Sequence, residues 1–131
     1  MGDPETEVVF PRLKNDMLEL LNSMGTPKFN DIKLSITENH AATVILVSGG
    51  YPESYEKGKT ITGLNDISNE LIFHAGTIKK DNTFITNGGR VLAVTSTAKD
   101  FKKALKTSYS KIDKINFDEM NYRNDIGFDL L

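Results

Sequence analysis

The chain has 131 residues, 38% of them hydrophobic, with 16 Lys and Arg against 18 Asp and Glu, a balance that supports one packed domain and excludes wholesale disorder. A net charge of -2 supplies no basic face for nonspecific nucleic-acid binding. The absence of cysteine removes disulfides, thiolate nucleophiles and Cys-based metal sites, and points to a reducing, cytoplasmic setting.

Leu13, Met17, Leu20, Leu21 and Met24 fall on one helical stripe, which predicts a helix opened by Pro11 and closed by Gly25. Such a stripe is expected to pack on the following domain or on a second copy of the chain. Residues 27–31 read as a linker, because Pro27 forbids continuing the helix. Beyond it, Ala41–Val47, Thr60–Thr62, Leu71–His74, Phe84–Thr86 and Val91–Thr95 are short runs punctuated by glycine and read as strands. Val44–Val47 lacks polar alternation, so this strand is expected to be covered on both faces. The longest apolar run, Ala41 to Val47 interrupted only by Thr43, is far too short to span a bilayer. Lys79–Asn82 has the composition of a hairpin turn. Thr97 and Asp100 resemble a capping box ahead of a helix at about 98–115, with Phe101, Ala104, Leu105, Tyr109, Ile112 and Ile115 inward. Its lysines, Lys111 among them, are read as a solvated face.

Two glycine pairs sit at strand ends, Ser48-Gly49-Gly50-Tyr51-Pro52 and Asn87-Gly88-Gly89-Arg90. Glycine permits positive φ and close backbone approach, so either pair suits an amide-lined anion cradle with Arg90 gripping a phosphate, or plain hairpin geometry. Lys57 is a second contact to such a group or a solvated loop residue. His74 ends a strand and is a structural or a titrating residue. With only two histidines 34 positions apart, no histidine-rich metal site is expected. Asp3, Glu5 and Glu7 suit magnesium or substrate positioning, and equally helix capping and dipole effects.

The blocks Gly2-Asp3-Pro4-Glu5-Thr6, Gly49-Gly50-Tyr51-Pro52, His74-Ala75-Gly76-Thr77, Asn87-Gly88-Gly89-Arg90-Val91 and Tyr122-Arg123-Asn124-Asp125-Ile126-Gly127, in this order, resemble the C-terminal part of the phosphoribosylamine-glycine ligase family, also called glycinamide ribonucleotide synthetases. Glu7 stands where that family usually has glutamine. The resemblance implies an ATP-grasp ligase of purine biosynthesis. There, ATP phosphorylates the glycine carboxylate, and the amine of phosphoribosylamine attacks the acyl phosphate. It implies ATP and magnesium as cofactors, with the magnesium ligands upstream of this segment and no metal ligand or catalytic residue within it. It further implies partnership with the N-terminal and ATP-grasp domains, neither nucleic acid nor membrane as partner, and inactivity of the segment alone.

The expected fold is α+β. A strand-helix remnant of the ATP-grasp domain over residues 1–26 precedes a small antiparallel β domain over 32–131, barrel-like as in the biotin carboxylase C-terminal domain, with one flanking helix. Charge matching makes Arg90, Lys57, Asn87 and Gly88 with the Gly49-Gly50 turn candidates for the ribose phosphate, and Asp3 and Glu5 for the glycine and amine end. The rival expectation is a noncatalytic module that binds a phosphorylated metabolite or a protein partner through the same loops.

Overall fold

The computed structural model describes residues 2–67 and 71–130. Residues 68–70 and the two terminal residues of the expected domains lie outside that description. Strands β1 (His40–Val47), β2 (Thr60–Ile61), β3 (Leu71–His74), β4 (Thr77–Lys80), β5 (Thr83–Thr86) and β6 (Arg90–Ala98) form two three-stranded sheets, β1-β6-β3 and β2-β5-β4. All pairings are antiparallel. Among the described residues three α-helical segments accompany them, α1 (Thr6–Val9), α2 (Met17–Ser23) and α3 (Phe101–Ile112). The architecture is α+β, with α3 as the main flanking helix against β1 and β6.

The core lies between α3 and the larger sheet. Val44 and Leu46 of β1, Leu92 and Val94 of β6, and Leu105 and Ile112 of α3 are all buried there. From Val91 to Ser96 every residue of β6 is buried, as suits a central strand. β1 departs from expectation. Ala42, Val44 and Leu46 are buried, but Thr43, Ile45 and Val47 are only half-buried. β1 is the sheet's edge, and its outer face is covered in part by α1.

The N-terminal segment also differs. Leu13 does not begin a helix but bridges Ile36 in antiparallel fashion, because Lys14 N–H donates to the Ser35 carbonyl and Thr37 N–H to the Arg12 carbonyl, both at 2.8 Å. Among the described residues before 27 there is no strand: Thr6–Val9 is α-helical and Phe10–Arg12 a 3-10 turn, so the expected strand-helix piece is made of short helical segments and this single bridge. Asp16 starts α2 instead, accepting from Glu19 N–H at 2.8 Å, a side-chain cap that outweighs apolar spacing. The stripe is thereby divided. Leu20 is buried, whereas Leu21 and Met24 are exposed, so the stripe as a whole does not pack on the β domain. The expected linker forms a 3-10 turn over Pro27–Asp31.

Asp81 and Asn82 both adopt positive φ and close the β4-β5 hairpin, where Asn and Asp tolerate the left-handed region. The expected capping box gives way to Asp100 alone, which accepts from Lys103 N–H at 2.9 Å. Thr97 is still within β6. Lys111 is no solvated lysine. It is buried, and its Nζ donates to the Thr95 carbonyl at 3.0 Å. Among the described residues no helix is long and apolar enough to cross a membrane.

Candidate functional site

The two glycine turns converge. Ser48 follows β1 directly, and from there its N–H donates to the Gly89 carbonyl at 2.8 Å and its Oγ to the Gly88 carbonyl at 2.9 Å. A third turn joins them at Gly76, whose N–H donates to the Arg90 carbonyl at 2.8 Å and whose carbonyl accepts from Asn87 N–H at 2.7 Å. A Cβ on Gly76 would stand 2.6 Å from the Gly88 Cα, so close backbone approach requires glycine there. The buried Gly89 lies beneath the Tyr51 ring. Among the described residues, no acceptor pairs with the amides of Gly49, Gly50, Gly88 or Gly89.

Arg90 is aimed by an irregularity in the ladder. Leu46 opposes Leu92, but Val47 opposes Arg90, leaving Val91 as the extra residue of a bulge. Opposed residues share a sheet face, so the bulge turns Arg90 to the outer face of β1, beside Val47. There its guanidinium donates to the Asp3 carbonyl at 3.1 Å and to Asp3 Oδ2 at 2.9 Å. Two openings meet at Arg90. One is a groove of about 460 Å³ floored by Ile45 and Val47, with Tyr51, Tyr122 and Arg123 on its sides. The other is a cleft of about 140 Å³ lined by Asp3, Glu7, His74 and Arg90. The C-terminal segment is fixed beside the groove by the Val47–Asn121 bridge and by the Tyr109 hydroxyl, which donates to the Arg123 carbonyl at 2.8 Å. Arg123 is in turn paired with Asp125 at 2.8 Å.

The remaining candidates are dispersed. Lys57 is exposed, and it is Lys59 that is bonded to Glu119, the residue packed against Gly49, and lies 3.4 and 3.6 Å from Asp118 and Glu56. The hydrogen bond to Glu119 raises the Lys59 pKa, against a smaller opposing effect of desolvation. Glu56 and Glu119 also rim the opening beside Gly49 and Gly50, which disfavours an anion on that side. Glu5 is exposed and lies in neither opening at Arg90. Asn87 is exposed at its turn. Glu7, which charge matching had passed over, lies in the cleft with Asp3. Among the described residues no three His, Asp or Glu side chains converge to hold a metal ion.

The phosphoribosylglycinamide synthetase C-domain model matches residues 41–129. The chain belongs to that family. The C domain is accompanied by similarity over nearly the whole sequence. The chain is 42% identical to the phosphoribosylamine–glycine ligase of Chlorobaculum tepidum over 97% of its own length and 31% of the relative's. It is 42% identical to a bifunctional purine biosynthetic protein of Dictyostelium discoideum, over 97% of this chain and 16% of that protein. The crystal structure of the Thermotoga maritima phosphoribosylamine–glycine ligase superposes with a TM-score of 0.78 at 34% identity, covering 95% of this chain and 31% of that one. This C domain with its preceding helices thus spans about a third of the ligases it matches.

Within the C domain, His74 links the three turns to the smaller sheet. Its Nδ1 is 2.8 Å from Thr77 Oγ1 and its ring lies 4.4 Å from that of Phe84. Desolvation holds its pKa below the ordinary value of 6.5. The unfolded chain therefore takes up this proton near pH 6.5, while the folded chain does so only at lower pH. Stability is expected to fall as pH drops below 6.5. In thermal melts between pH 7.5 and 5.5, His74→Gln should lose less stability than the unmodified chain; equal losses would remove His74 as the cause.

Proposed function

We propose that the chain serves as the C-terminal part of a phosphoribosylamine–glycine ligase, which consumes ATP to join glycine to 5-phosphoribosylamine in purine biosynthesis in the cytoplasm. Its own contribution is to hold the phosphoribosyl group. The observation that carries this reading is the bulge-directed Arg90, which stands where three glycine turns and two openings meet. Arg90 has five N–H donors and spends two on Asp3, so it keeps donors for a phosphate. The unpaired amides of Gly88 and its neighbours add uncharged donors on the same loop, with Asn87 beside them. The Gly49-Gly50 turn acts through Ser48 as a support of that loop, and the exposed Lys57 adds long-range attraction. Asp3, with Glu5 further out, brings negative charge to the amine end.

ATP and magnesium act through the two thirds of the ligase polypeptide that this chain does not match. The segment alone is accordingly expected to bind without turning over. Calorimetric titration of the chain with glycinamide ribonucleotide tests the proposal. Arg90→Ala should weaken binding about tenfold or more, because a charge-assisted hydrogen bond contributes about 1.5–3 kcal/mol. Unchanged affinity in the folded variant would refute the assignment.

A further inference from the structure

Asn87 is the one asparagine in the sequence that is followed by glycine. Asparagine is among the chemically labile side chains, because the main-chain nitrogen of the next residue can attack its carboxamide. Glycine at that next position leaves the approach unobstructed by a Cβ. The fold decides whether the two groups are free to react. The bonds that hold this loop fall on other atoms. Asn87 N–H donates to the Gly76 carbonyl at 2.7 Å, the Gly88 carbonyl accepts from Ser48 Oγ at 2.9 Å, and the Gly89 carbonyl accepts from Ser48 N–H at 2.8 Å. Among the described residues, neither the Gly88 N–H nor the exposed Asn87 carboxamide is engaged in a hydrogen bond. The reacting pair is therefore left out of the network that fixes its surroundings.

Other asparagines lack one of these features. Asn15 is held at both ends of its carboxamide, its Nδ2 donating to the Lys33 carbonyl at 3.1 Å and its Oδ1 accepting from Ser35 N–H at 2.6 Å. Asn121 Oδ1 accepts from Tyr122 N–H at 2.8 Å, which occupies the amide that would have to attack. Asn82 and Asn124 are exposed but precede Thr83 and Asp125, whose side chains crowd the approach.

We propose that Asn87 is a site of spontaneous covalent modification, deamidating in the folded chain by cyclisation onto the Gly88 amide. The Gly88 nitrogen gives its proton to hydroxide and bonds to Asn87 Cγ, the Cγ–Nδ2 bond breaks, and ammonia leaves with a proton taken from water. Water then opens the succinimide. Cleavage at the Cγ–N bond gives aspartate. Cleavage at the bond from that nitrogen to the Asn87 main-chain carbonyl carbon gives isoaspartate, with the main chain rerouted through Cβ. The net change is one water consumed and one ammonia released. Either product puts a carboxylate on the loop that carries Arg90. The isoaspartyl form also adds a methylene between the N–H bound to Gly76 and the carbonyl bound to Ser48. The reaction needs only the loop and water, so it is independent of the ligand assigned to Arg90.

The test is to incubate the full chain at mildly alkaline pH, well below its melting temperature, and to map deamidation by tryptic digestion and fragment-ion mass spectrometry against the unincubated chain. Deamidation should accumulate at Asn87 ahead of Asn82 and Asn124. Isoaspartate, read by transfer of a labelled methyl group from protein isoaspartyl methyltransferase, should account for most of the methyl acceptor. Asn87→Gln, with its fold checked by circular dichroism, should lose that signal. A synthetic peptide of the Asp81–Arg90 sequence supplies the unrestrained reference. Deamidation of Asn87 in the peptide but not in the folded chain would show that the fold locks the pair and would overturn the proposal. So would earlier deamidation at Asn82 or Asn124, or a methyl-acceptor signal unchanged in Asn87→Gln.

Discussion

Replacing Gly63 by alanine is expected to destabilise the domain by about 3 kcal/mol or more, one of the largest effects of any single methyl in this chain. Gly63 has φ +83, in the left-handed region, and a Cβ there would fall inside van der Waals contact of the Lys114 carbonyl oxygen. Neither problem relaxes locally. The adjacent Thr62 is paired with Asn116 in both directions, N–H to carbonyl at 2.9 and 3.2 Å, so the two segments cannot separate without losing those bonds. The strained φ costs about 1–3 kcal/mol, and the backbone displacement adds to it. For a domain of this size the loss corresponds to roughly 10 °C in melting temperature. Urea or thermal unfolding that places Gly63→Ala within 1 kcal/mol of the parent would contradict the close approach of these segments.

The second large effect distinguishes the two faces of β1. Leu46→Ala should cost about 2–5 kcal/mol, since Leu46 is fully buried in the core and its removal leaves a cavity beneath the sheet. Ile45→Ala, one residue earlier in the same apolar run, should cost about 1 kcal/mol, because Ile45 is half-buried at the floor of the open groove. Denaturant titration of the pair reads this difference directly. Equal costs would mean that the outer face is as well covered as the inner one, and the groove would lose its standing as a binding surface.

Most of the strand positions were legible, but not their order in the sheets. Runs such as Leu71–His74 and the β1 and β6 segments carry β-branched and apolar residues bounded by glycine, and local composition is enough to mark them. β4 was not marked, because Thr77–Lys80 has one aliphatic residue, Ile78, followed by two lysines, and three of its four residues are exposed. Lysine on an exposed edge strand is a guard against unwanted pairing and carries no burial signal. The N-terminal stripe misled for a related reason. Its spacing fits a helix, but Leu13 is taken by the Ile36 bridge and Asp16 caps a shorter helix, so a distant pairing overrode local periodicity.

The site divides along the same line. The sequence led us to expect that the glycine turns converge, and hydrogen bonds from Ser48 to Gly88 and Gly89 bring them together. Their surroundings were not readable. Asp3 rather than solvent faces Arg90, Lys59 rather than Lys57 sits within a ring of carboxylates, and Lys111 is buried under β6 rather than displayed. The sequence by itself determined the residue types at the turns, the apolar strands and the family to which they belong, since these depend on short-range patterns. Only the tertiary structure decided which way Arg90 points and which charges meet it. A one-residue bulge reverses the face of every side chain beyond it, and ion pairs between residues 60 or 87 positions apart arise from chain packing that no local pattern encodes.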